Sequence, residues 1–237
     1  MDEALRLNRA RLVSLTPEAD ELIAKLARVS NPTNEDNRDT YPKLIKYLID
    51  HQHWSPFETV HATVELLTTR DIGRQVLRHR SFSFQEFSGR YAAYSDLIFK
   101  RMMRYQDPTN RQSSVIPDSD KLVDSSTKES QDWAWWCEQV EAIGHVAKHI
   151  YDEALERGIA KEVARSVLPE GLVPTRMYMA GSIRSFIHYC QERLKPGVQY
   201  EHQLLAGQVF KAVFSQMPMT HAAIDNVYDL PKMNQII

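Results

Sequence analysis

Cysteine is nearly missing from this chain: Cys137 and Cys190 are the only 2 among 237 residues. They share no metal-ligand spacing, which excludes a disulfide framework and a cysteine-built zinc site, and both are read as reduced thiols. No stretch of about 18 consecutive apolar residues occurs, so a helical membrane span is excluded. An excess of either charge is also absent. With 29 Lys and Arg against 31 Asp and Glu, the formal net charge is −2, and a bulk polyanion such as nucleic acid has no overall field to draw it in. Internal repeats are lacking. The opening "MDEALRLNRARLVSL" carries acids at its second and third positions and has no unbroken apolar core, which argues against a secretory signal. A cytoplasmic location is therefore expected.

The composition that remains is 43% hydrophobic and 25% charged, ordinary for a globular protein. At roughly 150 residues per domain the length fits one domain spanning 1–237. Thr16-Pro17 followed by Leu22, Ile23, Leu26 and Val29 predicts a helix to about Arg28, and Leu44, Ile45, Leu48 and Ile49 predict a second one ending near His51, after a polar loop over 31–40. From Glu58 the chain alternates, with Val60, Ala62, Val64 and Leu66 against His61, Thr63 and Glu65, the pattern of a half-buried strand. Helical spacing returns over Asp71 to Arg80. The stretch from Asp107 to Ser130 is rich in Pro, Ser, Asp and Thr and is read as a polar surface loop at about 107–130 without regular elements. Trp133, Trp136, Val140, Ile143, Ala147, Ile150 and Ala154 then trace one apolar stripe on a helix stopped by Gly158. A short helix over 161–168, a possible strand in "TRMYMAG", a helix over 182–194 and a last helix over 198–216 complete the chain. The expected class is α+β: a helix-rich single domain with a small, mostly antiparallel sheet.

Chemistry concentrates in "RHRSFSFQEFSGRY". Arg78, His79 and Arg80 close the predicted helix, and if the chain beyond stays extended, Glu86, Ser88 and Arg90 share a face. An acceptor, a hydroxyl and a forked cation within about 14 Å can hold a phosphate and a sugar beside a flat heterocycle. A solvated basic helix end followed by a surface strand would carry the same letters. A second group is His51, His53, Glu58 and His61, where histidines one residue apart fit no zinc spacing and more readily serve an anion or a helix end. The third lies on "SIRSFIHYCQER", where Arg184 and His188 stack four apart and Arg193 ends the helix. Arg165, between Ala164 and Val167 on an apolar helix, must reach solvent or meet an anion.

Together these patches resemble the flavin-dependent thymidylate synthases. Arg-His-Arg, seven residues, then a serine followed two places later by arginine is that family's signature. "ARVSNP" near Ser30, "HWSPFE", "VARSVLP" and the helix bearing Arg184, His188 and Arg193 follow in the family's order, over about residues 20 to 215. The resemblance implies a homotetramer with ligand sites at subunit interfaces, binding FAD with 2′-deoxyuridine 5′-monophosphate (dUMP) stacked on the flavin. Carried over by position, His53, Ser55, Arg78, His79, Arg80, Glu86, Ser182, Arg184 and His188 match the cofactor site. Gln75, Arg78, Glu86, Ser88, Gly89, Arg90, Arg165 and Arg193 match the nucleotide site. The chain departs from the pattern at Thr59, where the family often has histidine, and at Gln85, where it has asparagine; some members have asparagine in place of Ser182 and His188.

The implied reaction is reductive methylation of dUMP to dTMP: methylenetetrahydrofolate gives the carbon, NADPH reduces FAD, and the flavin passes hydride to the uracil ring. Arg193 is expected to polarise the pyrimidine and Ser88 to bind and orient, with a nucleophilic role for Ser88 also discussed in the family. Neither cysteine has an activating base, so the thymidylate synthase mechanism built on a cysteine nucleophile is not indicated. No resident metal, membrane or nucleic-acid partner is expected. Two competing readings remain testable at this level: a nucleic-acid surface formed by Arg74, Arg78, Arg80 and Arg90, and a metal-dependent hydrolase centred on His51, His53 and His61.

Overall fold

In the computed structural model, residues 7–97 and 102–225 are described; the acids at positions 2 and 3 and the extreme C-terminus lie outside them. Four strands form an antiparallel sheet in the order β1 (Arg9–Leu15), β2 (His61–Thr69), β6 (Pro174–Ser182), β3 (Ser83–Glu86). The long central pair runs in unbroken register from His61 opposite Ser182 to Thr69 opposite Pro174. The alternation expected in β2 is present: Ala62, Val64 and Leu66 are buried, and Met177 and Met179 of β6 face the same core. The opposite face is polar, with Arg11 paired to Glu65 at 3.3 Å. One covered face and one wet face is how an antiparallel sheet alternates.

Helices α1 (Ala19–Ala27) and α2 (Tyr41–Asp50) join the same core through Ile23, Ile45 and Ile49; each fully buried aliphatic side chain contributes roughly 1.5–3 kcal/mol. The predicted cap at Thr16 is not used, and α1 starts only after Glu18, which has a left-handed backbone. Between the two, buried Arg28 donates to the carbonyls of Asn34 (2.6 Å) and Asn37 (3.0 Å) and so organises the polar loop. Asp20 reaches across the chain to accept from the Met219 and Thr220 amides, which begin the last described helix, Pro218–Asp225.

The next helix, α3, covers Arg70–Val76 and is shorter than expected. Arg78, His79 and Arg80 lie beyond it, in turns closed by His79 N–H to Val76 O (3.0 Å) and Phe82 N–H to His79 O (3.2 Å). The expected extension through Arg90 is also corrected: β3 stops at Glu86, and Ser88 O accepts from the Tyr91 and Ala92 amides in a turn. Strand β1 was not anticipated, because its alternation of arginine with small apolar residues is weak in the sequence. Within 107–130 the expectation of no regular element fails as well. Strand β5 (Ser114–Val115), paired with β4 (Tyr105–Gln106) just before the range, and a helix, α4 (Ser119–Val123), occur there. Asp107 and Asp118 make them by accepting from nearby backbone amides, as Asp does in turns and caps.

Helix α5 (Lys128–Glu156) has 29 residues, about 44 Å at 1.5 Å per residue. Its apolar residues divide into two faces and not the one stripe expected. Val140, Gly144, Ala147 and Tyr151 are buried, the last two in a second cluster with Tyr94, Leu97 and Leu168, whereas Ile143, Val146 and Ile150 are exposed. The short α6 (Lys161–Ala164) continues as a 3-10 turn over Arg165–Val167. After β6 come α7 (Ile183–Arg193) and α8 (Tyr200–Phe214), which pack on one another and place α8 across β1 and β2. Among the described residues no helix is long and apolar enough to cross a membrane.

Candidate functional site

Strand β6 runs directly into α7, and that junction positions one set of side chains. Ser182 caps the helix by accepting from Ser185 N–H (3.3 Å) and donates to Glu58 Oε2 (2.6 Å). Arg184 Nη1 donates to Glu58 Oε1 (2.6 Å). The Ser182 and Arg184 hydrogen bonds hold the Glu58 carboxyl below its usual range. His188, one turn on, packs edge-on against Trp54 at 5.1 Å, and burial and the Arg184 charge push its imidazole down. Glu58 ends the 3-10 turn Ser55–Glu58, so "HWSPFE" is brought to α7. His53, next to Trp54 in the chain, packs edge-on against Tyr47 at 5.8 Å. Arg184 Nε is buried and has no hydrogen-bond partner among the described residues. A buried donor without an acceptor is costly, which fits an anionic or carbonyl-bearing ligand at this end of α7.

A second set lies at the other end. Arg193 is nine residues beyond Arg184 on α7, about 14 Å along the axis and half a turn round. Its Nε donates to His79 Nε2 (2.7 Å), and burial together with Arg193 pushes the His79 imidazole down to about 4. A neutral acceptor therefore holds the guanidinium, and the Nη groups have no partner among the described residues. Tyr189, on the same face, packs edge-on against His79 at 4.9 Å and meets buried His202 through its hydroxyl, 3.2 Å from Nε2. His202 Nδ1 lies 3.2 Å from Gln75 Oε1. The segment between the two sets is tied to the helix as well: Ser185 Oγ donates to Ser81 O (3.3 Å), and Phe82 packs on Phe186 at 4.9 Å.

A third set gathers beside β3. Glu86 accepts from Thr175 Oγ1 (2.9 Å) and stands 4.0 Å from Arg74. The hydroxyl of Ser88 accepts from the Arg90 amide (3.4 Å), and among the described residues it has no imidazole or carboxylate partner. Gly89 is buried where a Cβ would come within 2.5 Å of the Tyr94 ring. Arg90 pairs with Glu162 (3.3 Å) with both side chains more than half exposed, an arrangement of small energetic worth, at the rim of an open cleft of about 470 Å³ that also carries Tyr91 and Lys161. Arg78 and Arg80 are exposed and Arg165 is half-buried, and none has a carboxylate partner among the described residues.

Within one chain, then, Ser182, Arg184 and His188 form one group, Gln75, His79 and Arg193 another, and Glu86, Ser88, Gly89 and Arg90 a third. Ser55 stands near the first at the start of its turn. Among the described residues no group of three or more His, Cys, Asp or Glu side chains can hold a metal ion. Cys190 is buried and its thiol is pushed far up by burial, so it is no nucleophile. The sequence reading missed Glu58 as the anchor of Ser182 and Arg184, and it missed Tyr189, Gln199, Glu201 and His202. One signal was available: His202 stands at helical spacing with Leu205 and Val209, a polar side chain on a face bound for the core.

Residues 11–219 match the family described as thymidylate synthase complementing protein. A probable flavin-dependent thymidylate synthase of Paramecium bursaria Chlorella virus 1 is 43% identical over 223 residues, covering 91% of this chain and 98% of that protein. The flavin-dependent thymidylate synthase of a Synechocystis strain is 43% identical over 211 residues, covering 89% and 91%. A crystal structure of the UMP/dUMP methylase PolB from Streptomyces cacaoi, bound with 5-Br UMP, superposes with a TM-score of 0.73 at 26% identity over 92% of this chain and 93% of that one. With a family model matching residues 11–219 and relatives 43% identical over 223 and 211 residues, the chain belongs to the thymidylate synthase complementing protein family.

Proposed function

We propose that this protein is a flavin-dependent thymidylate synthase, methylating dUMP to dTMP with methylenetetrahydrofolate as carbon donor and NADPH as the source of electrons through FAD. Its relatives' names and the nucleotide bound to the solved methylase support this reading. The observation that carries it is Arg193, a guanidinium fixed through Nε by a neutral histidine with its terminal nitrogens open.

FAD fits the first set of side chains. His53, Ser55, Ser182, Arg184 and His188, with Arg78, His79, Arg80 and Glu86, would hold it, and Arg184 Nε is the buried donor a ligand acceptor would satisfy. When bound and reduced, FAD supplies the hydride that the transferred carbon needs to reach the methyl level. The protein's part is to bind and polarise. Gln75, Arg78, Glu86, Ser88, Gly89, Arg90 and Arg165 take the nucleotide, and exposed Arg78 and half-buried Arg165, without carboxylate partners among the described residues, suit a phosphate. Arg193 favours negative charge developing on the pyrimidine as its C5 becomes nucleophilic. Ser88 binds and orients, since the amide of Arg90 is the partner its hydroxyl has.

Ser182 and Arg184 stand at one end of α7 and Arg193 at the other, and the exposed apolar face of α5 is the kind of surface a second subunit covers. Both features support a homotetramer whose ligand sites lie at subunit interfaces, each subunit a single domain acting in the cytoplasm. The test is an anaerobic assay of thymidylate formation from dUMP with FAD, NADPH and methylenetetrahydrofolate. The protein is expected to be yellow, to change its flavin spectrum when dUMP is added and to form dTMP. A colourless preparation that takes up no FAD and forms no dTMP would overturn the proposal.

A further inference from the structure

We propose that Gln199, Glu201 and His202 are positioning residues that set which end of the Gln75 side-chain amide is presented to the nucleotide base, and so make the site select uracil over cytosine. The inference rests on the reading of Gln75 as a nucleotide contact. Its basis is a chain of hydrogen bonds that has only one possible direction.

The chain begins at a buried ion pair. Arg104 Nη1 and Nη2 donate to Glu201 Oε1 (2.8 Å) and Oε2 (2.9 Å), with the two side chains 11% and 6% exposed. A carboxylate engaged by both prongs of a guanidinium accepts hydrogen bonds and donates none. Gln199 lies 3.2 Å from Glu201 Oε2, so it must turn its NH2 that way. Its Oε1 then faces Gln75 and accepts from Gln75 Nε2 at 2.6 Å. Gln75 is thereby left with Oε1 toward His202 Nδ1, 3.2 Å away. An amide oxygen only accepts, so the His202 proton sits on Nδ1, and the bare Nε2 accepts from the Tyr189 hydroxyl at 3.2 Å. His202 is fully buried, and burial, Arg193 and His79 push its imidazole down to about 3, so the ring stays neutral with one donor and one acceptor. Every member has its direction fixed by its neighbour, and a charge that cannot reverse starts the sequence.

The consequence falls on Gln75, which is half-buried. With one amide proton and one oxygen lone pair committed inward, the second of each remains for a ligand, on sides that cannot exchange. Uracil presents an N3–H donor beside carbonyl acceptors, whereas cytosine presents a bare N3 beside an amino donor. A primary amide pairs with either base depending on which way round it is held. If the amide were free to flip, it would serve both. Locked, it leaves an unpaired polar group against the wrong one, the kind of contrast that gives a hydrogen-bonding site its specificity.

Two variants test this. Glu201→Gln keeps the shape but can donate as well as accept, and Gln199→Leu cuts the chain while leaving the Arg104–Glu201 pair intact. Affinities of dUMP and dCMP would be measured by calorimetry on the flavin-loaded protein. The ratio of the two affinities on one preparation does not change with the fraction that is folded, so general destabilisation leaves it alone. The wild type is expected to prefer dUMP, and both variants to lose about tenfold of that preference, the worth of one hydrogen bond. Unchanged preference in both variants overturns the inference while leaving the nucleotide site in place. A wild type that binds neither nucleotide overturns the reading of Gln75 as well.

Discussion

Arg193 shows what a single residue gains from its neighbours. An arginine at a helix end usually answers the helix dipole, and in the sequence only the family resemblance pointed beyond that. The structure gives it a neutral histidine on one side and no carboxylate within the described salt bridges, so its charge remains available to a ligand. Arg193→Ala is expected to leave flavin bound, because Ser182 and Arg184 lie at the far end of α7, while reducing thymidylate formation by about two to three orders of magnitude, the scale of a lost donor to developing charge. Flavin absorbance and turnover measured on the same preparation check both halves; near-normal turnover would remove Arg193 from catalysis. For Arg165 the sequence left two outcomes, reaching solvent or meeting an anion, and the structure shows it half-buried without a carboxylate partner among the described residues. Glu58 was not legible, because its two partners are 124 and 126 residues away.

At the scale of the element, β6 and α7 form one device. The strand carries the chain through the centre of the sheet, and Ser182 turns it into a helix whose opposite faces serve opposite ends of the site. The close approach of the "RHRSF" segment depends on Gly181. A Cβ there would lie 2.5 Å from Phe82 Cδ1 and 2.9 Å from Cε1, and Phe82 is wedged between Phe84, Phe186 and Tyr189. Gly181→Ala is expected to destabilise the fold by roughly 1–3 kcal/mol, as overpacking does, and to weaken both ligands at once, because Arg78 to Arg80 precede the displaced ring. A melting temperature equal to wild type would show that the ring yields freely. Period-two and helical spacings located β2, α2, α7 and α8 well. They failed where a strand end or turn is set by partners elsewhere, as at β1, the end of β3 and the 105–123 region, whose polar letters read as loop although Asp107 and Asp118 build local structure from them.

For the whole molecule, the telling feature is α5. Ile143, Val146 and Ile150 are 58%, 60% and 44% exposed at helical spacing, on a helix whose other apolar face is buried within the chain. Leaving such a stripe in water is unfavourable, and covering it accounts for the expected homotetramer. Introducing charge there, with Ile143→Glu and Val146→Glu together, is expected to yield dimers or monomers in light scattering after size exclusion. Flavin content should fall with them, since the three sets of side chains would lose the partners that complete them. A variant that remains a tetramer would direct the search for the interface to another face.

By itself the sequence determined the class of chemistry through its resemblance to a family, because the order of arginines, histidine, serine and glutamate in "RHRSFSFQEFSGRY" and "SIRSFIHYCQER" is what carries that resemblance, and local periodicity places most helices and the central strand. It also gave no indication of a cysteine nucleophile. The tertiary structure decided which of those groups meet: that Glu58 anchors Ser182 and Arg184, that His79 holds Arg193, and that a buried ion pair at Arg104 and Glu201 fixes the direction of bonds reaching Gln75. Such pairings join residues many tens of positions apart, and only the packing of α7 and α8 on the sheet brings them within hydrogen-bonding distance.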